Sequence, residues 1–136
     1  MAVQLLAPSI EVGLVTTNRA AMVDFYEGYI GLAHQADLDF PGGSMKRYAV
    51  GPNVVLKLVS YDQPPAAAAV PGGGRAQAGS RNIPLVVADV REAAGQAPGA
   101  GHAVVEGPPS FPAVPGMGWC FVADPDGNWV ELVGPV

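Results

Sequence analysis

The order strand, helix, strand, strand, strand occurs twice along this chain of 136 residues. In the first half, alternating apolar residues predict a strand over residues 10–16. Asn18 can cap a following helix, whose apolar face is predicted from residues at helical spacing: Met22, Phe25, Tyr26 and Tyr29. Turns rich in Pro, Gly and Asn then separate three predicted strands, over residues 34–40, 45–50 and 54–60.

The second half repeats this order after a tract rich in Pro, Ala and Gly. A strand is predicted over residues 82–88 and a short helix begins after Asp89. Three more strands follow, over residues 103–106, 119–123 and 128–133. We therefore predict an α+β fold in a single domain spanning residues 1–136, with module 1 at about 8–60, a linker at about 61–80 and module 2 at about 81–134.

Charge and hydropathy exclude several classes of partner. Twelve acidic and seven basic residues give a formal charge of −5, which disfavours binding to nucleic acid or to an anionic membrane surface. No apolar stretch approaches the roughly 18 residues needed to span a bilayer, and the amino terminus lacks the pattern of a secretory signal. We expect a soluble, cytoplasmic protein in which the lone Cys120 has a packing role.

Polar residues fall at matching positions of the two halves. Strand alternation places Glu11 and Lys57 on the face opposite the aliphatic rows of their strands. In the repeat, Asn82 stands at the position of Glu11, and Glu131 at the position of Lys57. Trp129 shares the strand face of Glu131. This set of residues is the candidate site.

Two segments closely resemble the vicinal-oxygen-chelate superfamily, which includes glyoxalases, bleomycin-resistance proteins and extradiol dioxygenases. They are IEVGLVTTNRAAMVDFYEGYIGL near the amino terminus and FVADPDGNWVELVGP near the carboxy terminus. The resemblance implies paired βαβββ modules whose mixed sheets curl into a cup, usually within a homodimer. It also implies a small-molecule ligand or substrate.

Metal-binding relatives hold their ion with four side chains from the first and last strand of each module. The resemblance carries these positions onto Glu11, Lys57, Asn82 and Glu131. A lysine ammonium has no free lone pair and repels a divalent cation, and Asn82 is a weak donor. Neither histidine of the chain falls at these positions. We therefore expect no metal and no other cofactor.

Three hypotheses for function remain open. The first is an enzyme without a tightly bound metal, carrying out isomerisation, lyase or cyclisation chemistry of the kind found in secondary metabolism. In it, Glu11 or Glu131 is the general base and Lys57 stabilises negative charge, although the same three residues could form a purely structural ion cluster. The second is a non-catalytic protein that binds an antibiotic-type molecule, and the third is a metal-dependent lyase or epimerase with an atypical site.

Four residues are expected to contact the ligand. Asn82 and Trp129 lie on the candidate face, where the indole of Trp129 offers a platform for a flat molecule or serves as ordinary core. Phe111 and Met117 belong to a loop over residues 107–118, which is too apolar and too rich in proline for a short hairpin. This loop is expected either to cover the site as a lid or to pack against the partner of a homodimer.

Overall fold

The computed structural model describes residues 2–107 and 114–136. The chain divides into two compact units, Met1–Ala66 and Ala67–Val136. Each unit contains one four-stranded mixed sheet and one principal helical segment in the order β-α-β-β-β. The predicted α+β class and the repeated βαβββ order are therefore confirmed.

The first unit forms a sheet in the strand order β1-β4-β3-β2. Strand β1 pairs in parallel with β4, and the other neighbours are antiparallel. Helix α1 continues directly into a π-helical segment. The elements are β1 Ile10–Val15, α1 Arg19–Val23, the π-helical segment Asp24–Tyr29, β2 Ala33–Phe40, β3 Gly43–Gly51 and β4 Val54–Tyr61.

The helical segment covers one face of this sheet. Buried side chains from both layers form the core, namely Met22, Phe25, Tyr26, Tyr48, Leu56 and Leu58. The predicted apolar helix face therefore packs as expected, because its residues recur every three or four positions. Asn18 occupies the predicted N-cap position, but its side chain makes no hydrogen bond to the helix, and its own backbone N–H donates to Oγ1 of Thr16.

The second unit repeats this topology in the strand order β5-β8-β7-β6, with β5 parallel to β8. Its elements are β5 Asn82–Val86, α2 Val90–Gln96, β6 Ala103–Glu106, β7 Met117–Ala123 and β8 Trp129–Pro135, with 3₁₀ turns at Gly73–Arg75 and Pro98–Ala100. The buried core is Val90, Ala94, Ala97, Cys120, Val122, Val130 and Leu132. Burial raises the pKa of the Cys120 thiol, in keeping with its expected packing role.

Strand β6 contains a register shift between Val104 and Glu106. Val104 pairs with Val122 and Glu106 pairs with Phe121, so Val105 is the extra residue of a bulge. Simple alternation would place Glu106 on the same face as Val104. The bulge instead turns Glu106 to the face that carries the ring of Phe121.

The predicted linker contains two ordered pieces. Tyr61 is the last residue of β4, and Gly73–Arg75 form a 3₁₀ turn of the second unit. Gly73 is buried although its neighbours in the tract are exposed. Within residues 2–107 and 114–136, no helix is long and apolar enough to cross a membrane.

Truncation of a core leucine tests the packing of the first unit. Leu58 is fully buried, whereas Leu38 of the same sheet is 47% exposed. We expect Leu58→Ala to lower the free energy of unfolding by about 2–5 kcal/mol, since it removes buried methyl groups and leaves a cavity. Urea titration measures the loss. Leu38→Ala is the control and should cost about 0.5 kcal/mol or less; equal losses in the two variants would contradict the assignment of faces.

Candidate functional site

Glu11 lies in an ion cluster on the face of the first sheet that points away from the helix. Nη1 of Arg47 donates to Oε1 of Glu11 over 2.6 Å, and Nζ of Lys57 lies 3.8 Å from the same oxygen. Arg47 of β3 and Lys57 of β4 are cross-strand partners. The predicted proximity of Glu11 and Lys57 is thus observed, but the shorter contact comes from Arg47.

Two cations on one carboxylate change the chemistry expected of Glu11. The hydrogen bond from Arg47 lowers the pKa of Glu11 below its usual value, and the charges of Arg47 and Lys57 act in the same direction. A carboxylate stabilised in this way is a weak general base near neutral pH. These contacts favour a role for Glu11 as a member of an ion network over a role as a proton acceptor.

A divalent metal does not fit this arrangement. An ion bound to Glu11 would approach two side chains of like charge, Arg47 within 2.6 Å of the carboxylate and Lys57 within 3.8 Å. Among residues 2–107 and 114–136, no three His, Cys, Asp or Glu side chains are grouped so that they could hold a metal. The donor chemistry at Glu11 therefore differs from that of metal-binding relatives.

The corresponding polar positions of the second unit are also in contact. Nδ2 of Asn82 donates to Oε2 of Glu131 over 3.0 Å. Glu131 pairs across the sheet with Phe121, and Asn82 pairs with Trp129. The predicted pairing of Asn82 with Glu131 therefore occurs beside two aromatic rings.

A cavity of about 330 Å³ opens on this face of the second sheet. Three aromatic rings form a continuous surface along it: Phe121 lies 5.4 Å from Trp119 and 5.0 Å from Trp129, measured between ring centroids. The described residues that line it all belong to the second unit, and they are Gly74, Arg75, Asn82, Glu106, Trp119, Phe121 and Trp129. An apolar surface with a few polar groups at its edge is typical of a small-molecule site.

The turn at residues 73–75 covers part of the Trp129 indole. A Cβ atom added to Gly73 would lie 2.4 Å from Cε3 of Trp129, and the φ of Gly73 is +62°. Both observations require glycine, because a side chain would overlap the ring and L-residues rarely adopt this conformation. Arg81 holds the turn by donating to the carbonyl oxygens of Gly73 and Val70.

An ion pair stands at the edge of the cavity. Nη1 of Arg75 donates to Oε2 of Glu106 over 3.2 Å, and the Arg75 side chain is 84% exposed. An ion pair with one partner in water contributes little to stability, about 0–1 kcal/mol. Arg75 can therefore leave Glu106 at low cost.

The remaining predicted contacts are only partly located. Met117 is half-buried at the start of β7, opposite Pro135, and is not among the described residues that line the cavity. Phe111 lies outside the described residues. Sequence reasoning did not single out five residues of the two clusters, which are Arg47, Arg75, Glu106, Trp119 and Phe121.

Comparison with known proteins identifies the family. Residues 10–132 match the Glyoxalase/Bleomycin resistance protein/Dioxygenase superfamily. The chain belongs to this superfamily. No curated protein shows significant sequence similarity to it.

Solved structures share the fold of this superfamily member at low sequence identity. A glyoxalase family protein from Bacillus cereus has a TM-score of 0.81 at 16% identity, covering 98% of this chain and 96% of that protein. The antibiotic binding protein TnmS3 from Streptomyces sp. CB03234 has a TM-score of 0.71 at 22% identity, covering 98% and 99%. The trypanothione-dependent glyoxalase I of Leishmania major has a TM-score of 0.71 at 17% identity, covering 94% and 86%. These likenesses show the fold alone.

Substitution of Gly73 tests its packing against Trp129. We expect Gly73→Ala to lower the free energy of unfolding by about 1–3 kcal/mol, because the methyl group meets the indole and the backbone is strained. Urea titration followed by tryptophan emission measures both the loss and the altered ring environment. Gly74→Ala is the matched control, since an added Cβ there meets nothing within 4 Å. Equal stability of the two variants would show that the turn does not rest on the ring.

The carboxyl pKa of Glu11 tests the ion cluster. In a ¹³C NMR titration we expect it below its usual value of 4.5. Arg47→Met should raise it more than Lys57→Met does, because the Arg47 hydrogen bond is the larger cause. Asp37, whose pKa is lowered by hydrogen bonds from Lys46 and then His34, is an internal reference that should stay low in both variants.

The same pKa has a consequence for stability. Because the folded pKa of Glu11 lies below the unfolded value, its contribution to stability is present above about pH 4.5 and is lost as the pH falls through the folded pKa. The stability difference between wild type and Glu11→Gln should therefore shrink on acidification below that value. A difference that grew on acidification would contradict the Arg47 contact.

Proposed function

We propose that this chain is a small-molecule binding protein of the superfamily, and that the cavity of the second unit holds a flat, largely apolar ligand. The observation that carries this proposal is the continuous aromatic surface of Trp119, Phe121 and Trp129 along a cavity of about 330 Å³. Cavities of roughly 300–1,000 Å³ with apolar walls accommodate drug-sized molecules. The ligand stacks on rings whose positions are already fixed.

Preorganisation supports binding at this surface. The backbone of Gly73 packs against Trp129, and cross-strand pairing fixes Phe121 between its neighbours. A ligand that stacks on fixed rings does not have to order them, so less of its interaction energy is lost as conformational entropy. The antibiotic binding protein TnmS3, which has a similar fold, is a precedent for a binding role.

The ion cluster of the first unit supports binding over turnover. Glu11 is neutralised by Arg47 at 2.6 Å, and its pKa is lowered. A general base in this fold would instead need a pKa close to the working pH. The hypothesis of a metal-independent isomerase, lyase or cyclase based on Glu11, Lys57 and Glu131 stays a prediction, as does the homodimer.

Binding of flat aromatic probes tests the proposal. Both tryptophans of the chain line the cavity, so tryptophan emission reports on this site. We expect acridine to quench the emission saturably, and Phe121→Leu to weaken its binding at least about tenfold, which corresponds to about 1.4 kcal/mol. The lost stacking surface is the cause.

Phe40→Leu is the matched control for Phe121→Leu. Phe40 also packs against another ring, Tyr61 at 5.7 Å, but it belongs to the first unit. Its replacement should leave affinity for acridine within about twofold. Glu11→Gln should likewise leave affinity nearly unchanged. Absence of saturable quenching, or equal losses from the two phenylalanine variants, would refute the assignment of the cavity.

A further inference from the structure

Three residues form a row across the second sheet, each on a different strand. Glu106 of β6 pairs with Phe121 of β7, and Phe121 pairs with Glu131 of β8. Directly opposed side chains on one face have Cβ atoms about 4.5–5.5 Å apart. The central ring of the aromatic surface therefore has a carboxylate on each side.

The bulge in β6 creates half of this arrangement. If β6 and β7 paired without the bulge, Val105 would stand opposite Phe121 and the row would be apolar at that end. The bulge puts Glu106 on the aromatic face opposite Phe121, and the unpaired Val105 is 41% exposed. Bulges commonly redirect a side chain beside a functional site.

The two carboxylates have different partners. Glu131 accepts a hydrogen bond from the amide of Asn82, which is neutral. Glu106 is paired with Arg75, whose side chain is 84% exposed and is anchored at no other carboxylate in the described structure. Arg75 thus places a cation beside the aromatic cavity, and its guanidinium can leave Glu106 for water at little cost in free energy.

Resting on the proposed function, we infer that the cavity selects ligands that carry a positive charge on or beside their flat aromatic body. The cation takes the place of the Arg75 guanidinium at Glu106 and lies near the faces of the aromatic rings. Electron-rich ring faces attract cations, and the neighbouring carboxylates add to the attraction. Glu106 is therefore the residue that determines charge specificity, whereas the rings determine shape.

Matched probes separate charge from shape. Acridine and N-methylacridinium have the same three-ring body, and at mildly alkaline pH the first is neutral whereas the second is a permanent cation. At fixed ionic strength, wild-type protein should bind N-methylacridinium at least about tenfold more tightly than acridine. Acridine-9-carboxylate, which is an anion, should bind more weakly than either. Quenching of tryptophan emission and calorimetry measure the three affinities.

Variants assign the preference to one carboxylate. Glu106→Gln should bring the ratio of the two affinities close to one. Glu92→Gln changes the net charge equally but lies on α2, where Glu92 accepts a hydrogen bond from Gln96, and it should leave the ratio intact. Arg75→Ala should raise the ratio, because it removes the cation that competes for Glu106. Arg91→Ala on α2 is the charge-matched control and should raise the ratio less.

The outcomes distinguish this inference from the proposed function. Equal affinities for acridine and N-methylacridinium overturn the charge selectivity while the aromatic binding site stands. If Glu106→Gln and Glu92→Gln lose the preference for the cationic probe equally, the preference arises from net charge and the role of Glu106 is overturned. If none of the three probes binds, both the proposed function and this inference fail.

Discussion

The parallel pairing of the first and last strands in each unit determines which side chains can meet at the candidate site. In the first unit Gly13 stands opposite Lys57, so the lysine side chain can lie over β1 and reach Glu11 two residues away. A Cβ at Gly13 would lie 3.4 Å from Cε of Lys57, in direct contact with that path. In the second unit Pro84 is opposite Glu131, and the same offset brings Glu131 to Asn82.

The same register gives the two units different chemistry. The middle strand places Arg47 opposite Lys57 in the first unit and Phe121 opposite Glu131 in the second. These two positions correspond in the repeated topology. An arginine there closes an ion cluster around Glu11, whereas a phenylalanine joins two tryptophans in an aromatic surface. The residue at this shared position therefore contributes to a charged face in the first unit and to an aromatic one in the second.

Strand and helix periodicity predicted the elements and the faces of Glu11 and Lys57, because both follow from the spacing of side chains along a single segment. The meeting of first and last strands was expected from the repeated order and the family resemblance. The roles of Arg47 and Phe121 were not predicted, because alternation assigns the residues of one strand to a face but does not indicate which residue of the neighbouring strand lies opposite. Glu106 was missed for a different reason: alternation without a bulge assigns it to the face of Val104. Gly73 and Arg75 were assigned to a linker, since composition alone cannot indicate that a glycine packs on an indole.

The two arginine–glutamate pairs differ in how readily they exchange a partner. Arg47 is 19% exposed, lies 2.6 Å from Glu11 and is joined by Lys57, so Glu11 has two counter-ions within reach. Arg75 is 84% exposed and lies 3.2 Å from Glu106, where water readily replaces it. A ligand competing for Glu11 must displace two cations, whereas one competing for Glu106 displaces a single solvated side chain. This difference in the number of competing cations, together with the adjacent rings, is why the proposed ligand site is assigned to the second unit and not to the ion cluster around Glu11.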